Sequence, residues 1–234
     1  MMRIALDGPA SSGKSSVGQL AAAELGLGFL DTGLLYRAVT RRAIELGIFR
    51  STLSAAEIML MPFTGIRERL TEMAGATTVT GRGRDYTVAV EGSLIIERDL
   101  ESPEVELQVP AVAAIASVRD ELREVQRDVA VRGGTILAGR DIGTVVLPEA
   151  ECKIFLDATA EARAARRAMQ RGFAIGSSEH QRILDSLMAR DREDRARPVA
   201  PLIPAEDALI IHTDHLTLEQ VVDQVVAAAR RAGR

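Results

Sequence analysis

The amino-acid sequence predicts an α/β protein whose core is a parallel five-stranded sheet flanked by helices. Three observations carry that expectation. Apolar runs of four to six residues alternate with segments of helical period. Most helical segments stop at a glycine, the residue that most easily takes the left-handed conformation closing a helix. Strict two-residue alternation is confined to residues 76–100, as expected of a small antiparallel insert in a mainly parallel fold.

In chain order, strands are expected at 3–7, 28–30, 135–138, 153–156 and 208–211. Helices are expected at 14–25, 34–46, 118–132 and 160–171, ending at Gly26, Gly47, Gly133 and Gly172. The insert comprises Thr77 to Thr80, Tyr86 to Val90 and Ser93 to Ile96, with Gly81-Arg82-Gly83-Arg84 as its first turn. A charged helix at 179–197 ends before Pro198, Pro201 and Pro204, which cannot continue it. Thr217-Leu218-Glu219-Gln220 reads as a capping box opening a last helix at 218–229.

Composition narrows the function. The chain has 234 residues, 29 Lys+Arg against 33 Asp+Glu, a net charge of −4, 47% hydrophobic residues and 3% aromatics. An acidic chain poor in stacking residues argues against a nucleic-acid binder. No apolar run reaches the length of a membrane span, and Asp7 and Gly8 arrive too early for a secretory signal. The single Cys152 makes no internal disulfide and reads as a core residue opening a strand, so a reducing, cytoplasmic setting is expected. His180, His212 and His215 are scattered and read as loop residues. Only Lys14 and Lys153 are Lys, the other cations being Arg, and no Asn occurs. Codon bias explains most of this, yet the guanidinium fork also suits phosphate.

Gly8-Pro9-Ala10-Ser11-Ser12-Gly13-Lys14-Ser15 matches G-x-x-x-x-G-K-[ST] between a strand and a helix, the context a P-loop requires. Its amides and the helix N-terminus cradle phosphate, Lys14 reaches the β- and γ-phosphates, and the Ser15 hydroxyl suits Mg²⁺. Lys14 is expected at an exposed loop-to-helix junction. Without Asn there is no guanine-reading Asn-Lys-x-Asp, and a protein kinase's glycine loop is absent. A small-molecule kinase, an ATPase or a nucleotide-gated binder remain.

Three further runs sit beyond strand ends or at a helix end: Asp31-Thr32-Gly33-Leu34-Leu35-Tyr36-Arg37, Gly139-Arg140-Asp141-Ile142-Gly143-Thr144, and Arg190 to Arg197. Taken singly, each also fits a solvated surface. Taken in order, with Val118-Arg119 between them, they resemble the bacterial cytidylate kinase family over nearly the whole chain.

The resemblance implies a CORE domain at 1–33, 110–160 and 198–234. It also implies an NMP-binding domain at 34–109 enlarged by the antiparallel insert, and a LID with flanking helices at 161–197. It further implies transfer of the ATP γ-phosphoryl group to CMP or dCMP with Mg²⁺. Gly8, Pro9, Ala10, Ser11, Ser12, Gly13, Lys14, Ser15 and Ser16 then hold ATP. Thr32, Arg37, Arg119, Arg140, Asp141, Arg190, Asp194 and Arg197 surround the monophosphate. Arg163, Arg166 and Arg167 begin the LID, with Arg166 or Arg167 for the transferring group.

The catalytic set is therefore Lys14, Arg140, Arg166, Arg167 and Arg190, and the partners are small nucleotides, with no nucleic acid and no membrane. A monomer is expected. Pro110 stands where the family has a cytosine-contacting Ser, Ala138 where it often has an acid, and residues 93–100 lack its usual small polar signature. Another kinase of this architecture, for UMP or shikimate, and a slow nucleotide switch are the alternatives; the arginine cluster argues against the switch, which needs no second anion site.

Overall fold

A computed structural model describes residues 2–49, 65–81, 86–96, 100 and 102–233. The first elements are β1 (Arg3–Asp7), α1 (Lys14–Leu25), β2 (Gly28–Asp31), α2 (Gly33–Glu45) and α3 (Ile66–Gly75). There follow β3 (Thr77–Thr80), β4 (Thr87–Val90), β5 (Ser93–Leu94), α4 (Pro103–Ala113) and α5 (Ala116–Val131). The chain ends with β6 (Thr135–Gly139), a π-helical turn (Ile142–Val146), β7 (Cys152–Asp157), α6 (Ala160–Gln170), α7 (Ser178–Ala196), β8 (Leu209–His212) and α8 (Leu218–Ala232). Two compact units result, Met1–Leu30 with Gly133–Arg234, and Asp31–Arg132.

In the first unit the sheet order is β2-β6-β1-β7-β8. β1 is central and runs parallel to β6 and to β7, with Asp7 opposite Gly139 and Phe155. A first strand flanked on both sides by later ones places a crevice at its carboxyl end, where open α/β sheets bind ligands. Ile4 and Leu6 of β1 are fully buried, and with Ile136, Ile154 and Ile211 they form one core with Val17 and Ala21 of α1 and Val225 and Ala229 of α8. A smaller cluster of Ala10, Ala164, Ala168, Ile183 and Leu187 packs α6 and α7 beside the phosphate loop. The capping box of α8 forms as expected, Gln220 N donating to Thr217 Oγ1 at 3.2 Å and Thr217 N to Gln220 Oε1 at 2.9 Å.

In the second unit β3, β4 and β5 form the expected antiparallel meander. Arg82 to Arg84 of its turn, like residues 97–99 of the 93–100 stretch, lie outside the described residues, as do residues 50–64 of the expected 34–109 domain. The third strand is shorter than expected, ending at Leu94.

Two helices, α3 and α4, have no counterpart among the expected elements. Helix α4 contains two prolines; Pro103 occupies the first turn, where its missing N–H costs nothing, behind the Ser102 cap. Burial of Val105, Val109 and Val112 holds the helix around Pro110. Helices α4 and α5 pack with α2 and α3, and α5 also packs on β3. Residues 110–132, which the sequence reading joins to the CORE, therefore fall within the compact unit Asp31–Arg132. Among the described residues no helix is long and apolar enough to cross a membrane.

Arg3 ties the start of β1 to the approach of β7. Its guanidinium donates to Glu151 Oε1 at 2.8 Å and to Glu149 Oε1 at 3.1 Å. The hydrogen bond from Arg3 holds the Glu151 carboxyl at about 2, well below its ordinary 4.5. A depressed carboxyl stabilises the fold above its unfolded value and loses that contribution as pH falls through the folded one. The Glu151 side chain is 40% exposed, so solvent screens the pair. Glu151→Gln is expected to cost about 0.5–1 kcal/mol at pH 7, shrinking as pH falls from 4.5 towards 2, as read by urea unfolding across that range.

Candidate active site

The phosphate loop leaves β1 at Asp7 and enters α1 at Lys14. Gly8 has φ +151°, and a Cβ there would stand 2.2 Å from the Leu156 carbonyl oxygen of β7, so only glycine fits. Gly13 caps α1 without a capping side chain, an arrangement that suits an anion at the first-turn amides. Ser15 and Ser16 are exposed at the helix start, whereas Ser12 is buried and Ser11 takes φ 59°.

Lys14 corrects one expectation. It is 7% exposed rather than solvent-facing, with its stem inside the loop and Nζ donating to Gly8 O at 2.8 Å, Pro9 O at 2.7 Å and Ser12 Oγ at 3.2 Å. A buried ammonium needs such acceptors, and the loop's own carbonyls supply them.

Arg140 and Asp141 follow β6 and precede the π-helical turn. Arg140 Nε donates to Asp194 Oδ2 at 3.1 Å, and Arg197 lies 3.5 Å from Asp194 Oδ1. Burial opposes ionisation of Asp194, but Arg140, Arg197 and Arg190 outweigh it and hold its carboxyl below the usual range. The run 190–197 brings Arg190, Asp194 and Arg197 to one face at the end of α7 by i, i+4 and i+7 spacing. Arg140, 54 residues from Asp194 in sequence, thus joins Arg190 and Arg197 in one cluster about the Asp194 carboxylate.

The LID arginines take distinct places. Arg163 is buried, donating to Ala10 O at 3.0 Å and Ala158 O at 3.0 Å and pairing bidentately with Asp191 at 3.2 and 2.5 Å. It joins α6 and α7 to the phosphate loop. Arg166 donates to Thr213 Oγ1 at 3.0 Å and to the Thr213 carbonyl. Arg167 is half-buried on α6.

In the second unit, Asp31 Oδ1 accepts from Gly33 N at 3.0 Å and starts α2, with Thr32 buried at its N-cap. Arg37 donates to Leu100 O at 2.9 Å and lies 4.0 Å from Glu106. Arg119, 7% exposed, donates to Ala113 O at 3.3 Å with its guanidinium 5.7 Å from the centre of the Tyr36 ring.

Asp7 is the residue that sequence reasoning missed. It is 4% exposed, and its carboxylate accepts from Ile142 N at 2.9 Å and Gly143 N at 2.7 Å. An acid closing an apolar strand next to a glycine-rich loop was a visible signal, but its partners lie about 135 residues away. Asp191, the partner of Arg163, was likewise hidden within a charged run.

Among the described residues no group of three or more His, Cys, Asp and Glu side chains is placed to hold a metal ion. Contrary to the loop expectation, His212 ends β8, and His180 lies in the first turn of α7, inside the helix expected at 179–197. Cys152 is buried in the core, where burial pushes its thiol up to about 11.

Arg163 is buried and the side chain of Asp191 is only 13% exposed, so removing the arginine leaves a largely desolvated carboxylate uncompensated. Arg163→Ala is expected to destabilise the protein by about 3 kcal/mol or more, read as a fall in the unfolding midpoint, whereas an exposed arginine such as Arg192 should change it little.

The sequence model of the cytidylate kinase family matches residues 4–231. The cytidylate kinase of Limosilactobacillus fermentum is 42% identical over 228 residues, covering 96% of this chain and 93% of that protein. That of Pelotomaculum thermopropionicum is 40% identical over 234 residues, covering 99% of this chain and 96% of that protein. A match of this length, over a phosphate loop and a separate arginine cluster in the same unit, means that the chain belongs to the cytidylate kinase family.

Proposed function

We propose that this protein transfers the γ-phosphoryl group of ATP to the phosphate of CMP or dCMP, giving ADP and CDP or dCDP. The observation that carries the reading is a second anion-binding cluster, Arg140, Arg190 and Arg197 around Asp194, on the same unit as the phosphate loop. A hydrolase or a nucleotide switch has one anionic ligand to hold. A monophosphate kinase has two.

The acceptor phosphate is already anionic at neutral pH, so no general base is required. The barrier is the repulsion of two anions, overcome by positioning and charge neutralisation. On binding ATP, the Lys14 ammonium exchanges the Gly8 and Pro9 carbonyls for phosphate oxygens. The Ser15 hydroxyl is a hard oxygen donor that fits Mg²⁺, and the ion arriving with ATP would neutralise charge on the β- and γ-phosphates. Arg140 and Arg190 clamp the acceptor phosphate, with Arg37 assigned to the same group and Arg166 or Arg167 to the transferring one. Arg163 acts differently, because its contacts hold Ala10 of the loop. Asp141 accepts from the N4 amine of cytosine, and Arg119 donates to N3 or O2. This reading is of a monomeric, cytoplasmic enzyme.

A coupled assay of ADP release with CMP, dCMP, UMP and shikimate tests the assignment, and the absence of turnover with CMP would overturn it. Lys14→Ala is expected to lower kcat by about 10²–10³-fold, as for loss of one donor to a transition-state oxyanion, with an unchanged far-UV spectrum. For the base, uracil offers O4 where cytosine offers an amine, so Asp141 opposes it. Asp141→Ala is expected to narrow the CMP-to-UMP ratio of kcat/KM by roughly 10- to 100-fold, the worth of one charged hydrogen bond, mainly by losing CMP activity.

A further inference from the structure

We propose that Asp7 is a positioning residue for the acceptor side of the reaction: its carboxylate, at the end of the central strand, grips the turn that follows Arg140 and Asp141 and so fixes both side chains beside the phosphate loop. This rests on the assignment of Arg140 and Asp141 to CMP, and it adds a residue whose own atoms need not touch the nucleotide.

The geometry is specific. Each Asp7 oxygen takes one of two consecutive amides, Oδ1 from Ile142 N at 2.9 Å and Oδ2 from Gly143 N at 2.7 Å. These amides open the π-helical turn Ile142–Val146, whose N-cap residue, Asp141, supplies no side-chain cap of its own. The cap therefore comes from another strand. Within the turn, Val145 N and Val146 N both bond to Asp141 O, at 2.9 and 3.1 Å, and Leu147 N bonds to Ile142 O at 2.7 Å. The backbone around Arg140 and Asp141 is thus held from both directions.

A single-oxygen cap would leave the turn free to rotate about one bond, whereas two oxygens on two amides fix its orientation. The approach is close, since a Cβ on Gly143 would already touch Asp7 Oδ2 at 3.4 Å and Lys153 Cδ at 3.3 Å, so a branched side chain there would push against the clamp.

The charged groups around Asp7 fit a carboxylate kept for placement. Burial, aided by the negative charge of Asp141, pushes the Asp7 carboxyl up to about 6, while the Gly143 and Ile142 amides and the Lys14 ammonium oppose the rise. Lys153, whose stem packs near Gly143, directs its ammonium to Asp207 at 2.9 Å. Above pH 6 Asp7 is ionised, and both oxygens accept.

The test compares Asp7→Asn, Gly143→Val, Arg140→Ala and the Asp7→Asn/Arg140→Ala double variant. The readouts are kcat, KM for CMP, KM for ATP and the unfolding midpoint. Asn keeps the shape but turns an N–H donor towards one of the two amides. Asp7→Asn is expected to raise KM for CMP about tenfold while KM for ATP stays within about twofold. The double variant should lose less for CMP than the product of the two single effects, because part of the lost placement acts through Arg140 and only the part acting through Asp141 remains.

Equal rises in both KM values, an unchanged KM for CMP, or multiplied effects in the double variant would overturn the proposal. If Asp7→Asn does not fold, Gly143→Val, whose branched side chain must displace Asp7 or the turn, decides: a rise in KM for CMP alone supports the clamp, and unchanged kinetics overturns it. An unchanged KM for CMP in Arg140→Ala would instead remove Arg140 from the acceptor site and the proposal with it.

Discussion

Strand β1 is paired on both sides, and its carboxyl end has nowhere to go but out over the sheet edge. That constraint organises the first unit. Asp7, the last paired residue, lies between Gly139 and Phe155, and Gly8 must then pass within a Cβ's width of the Leu156 carbonyl. The loop that follows is forced into the strand-to-helix geometry that turns amides inward on a phosphate. The same strand end also reaches the turn after β6. One buried carboxylate thus couples two anion-handling segments that the chain separates by more than a hundred residues.

Arginine chemistry is managed by carboxylates rather than left to solvent. Asp194 gathers Arg140, Arg190 and Arg197 at the end of α7, and Asp191, one helical turn earlier, locks Arg163 to Ala10 and Ala158. Neighbouring acids on one helix therefore serve different ends. The first holds three arginines together at the end of α7, and the second fastens the α6–α7 pair to the phosphate loop.

Much of the fold was legible because it depends on local pattern. The five strands of the main sheet, the meander, the glycine helix stops and the Thr217–Gln220 capping box all follow from periodicity and end chemistry over a few residues. Helix α4 was not legible, because Pro110 breaks the local rule and the burial of Val105, Val109 and Val112 overrides it. The assignment of 110–132 to one unit or the other was equally out of reach, being a matter of which helices pack together.

The site divides in the same way. Motif spacing alone pointed to the phosphate loop and so to a nucleoside triphosphate, whereas the runs at 31–37, 139–144 and 190–197 each also fitted a solvated surface and drew a role only from the family resemblance. Only the tertiary structure decided that Lys14 lies within the loop on its carbonyls, that Arg163 is spent on Asp191 and the Ala10 carbonyl, and that Asp7 holds the turn beyond Arg140. The physical reason is distance along the chain. A sequence records which groups can donate and accept and how neighbours are spaced, whereas a buried charge must take whatever partner the packed sheet and helices bring within about 3 Å.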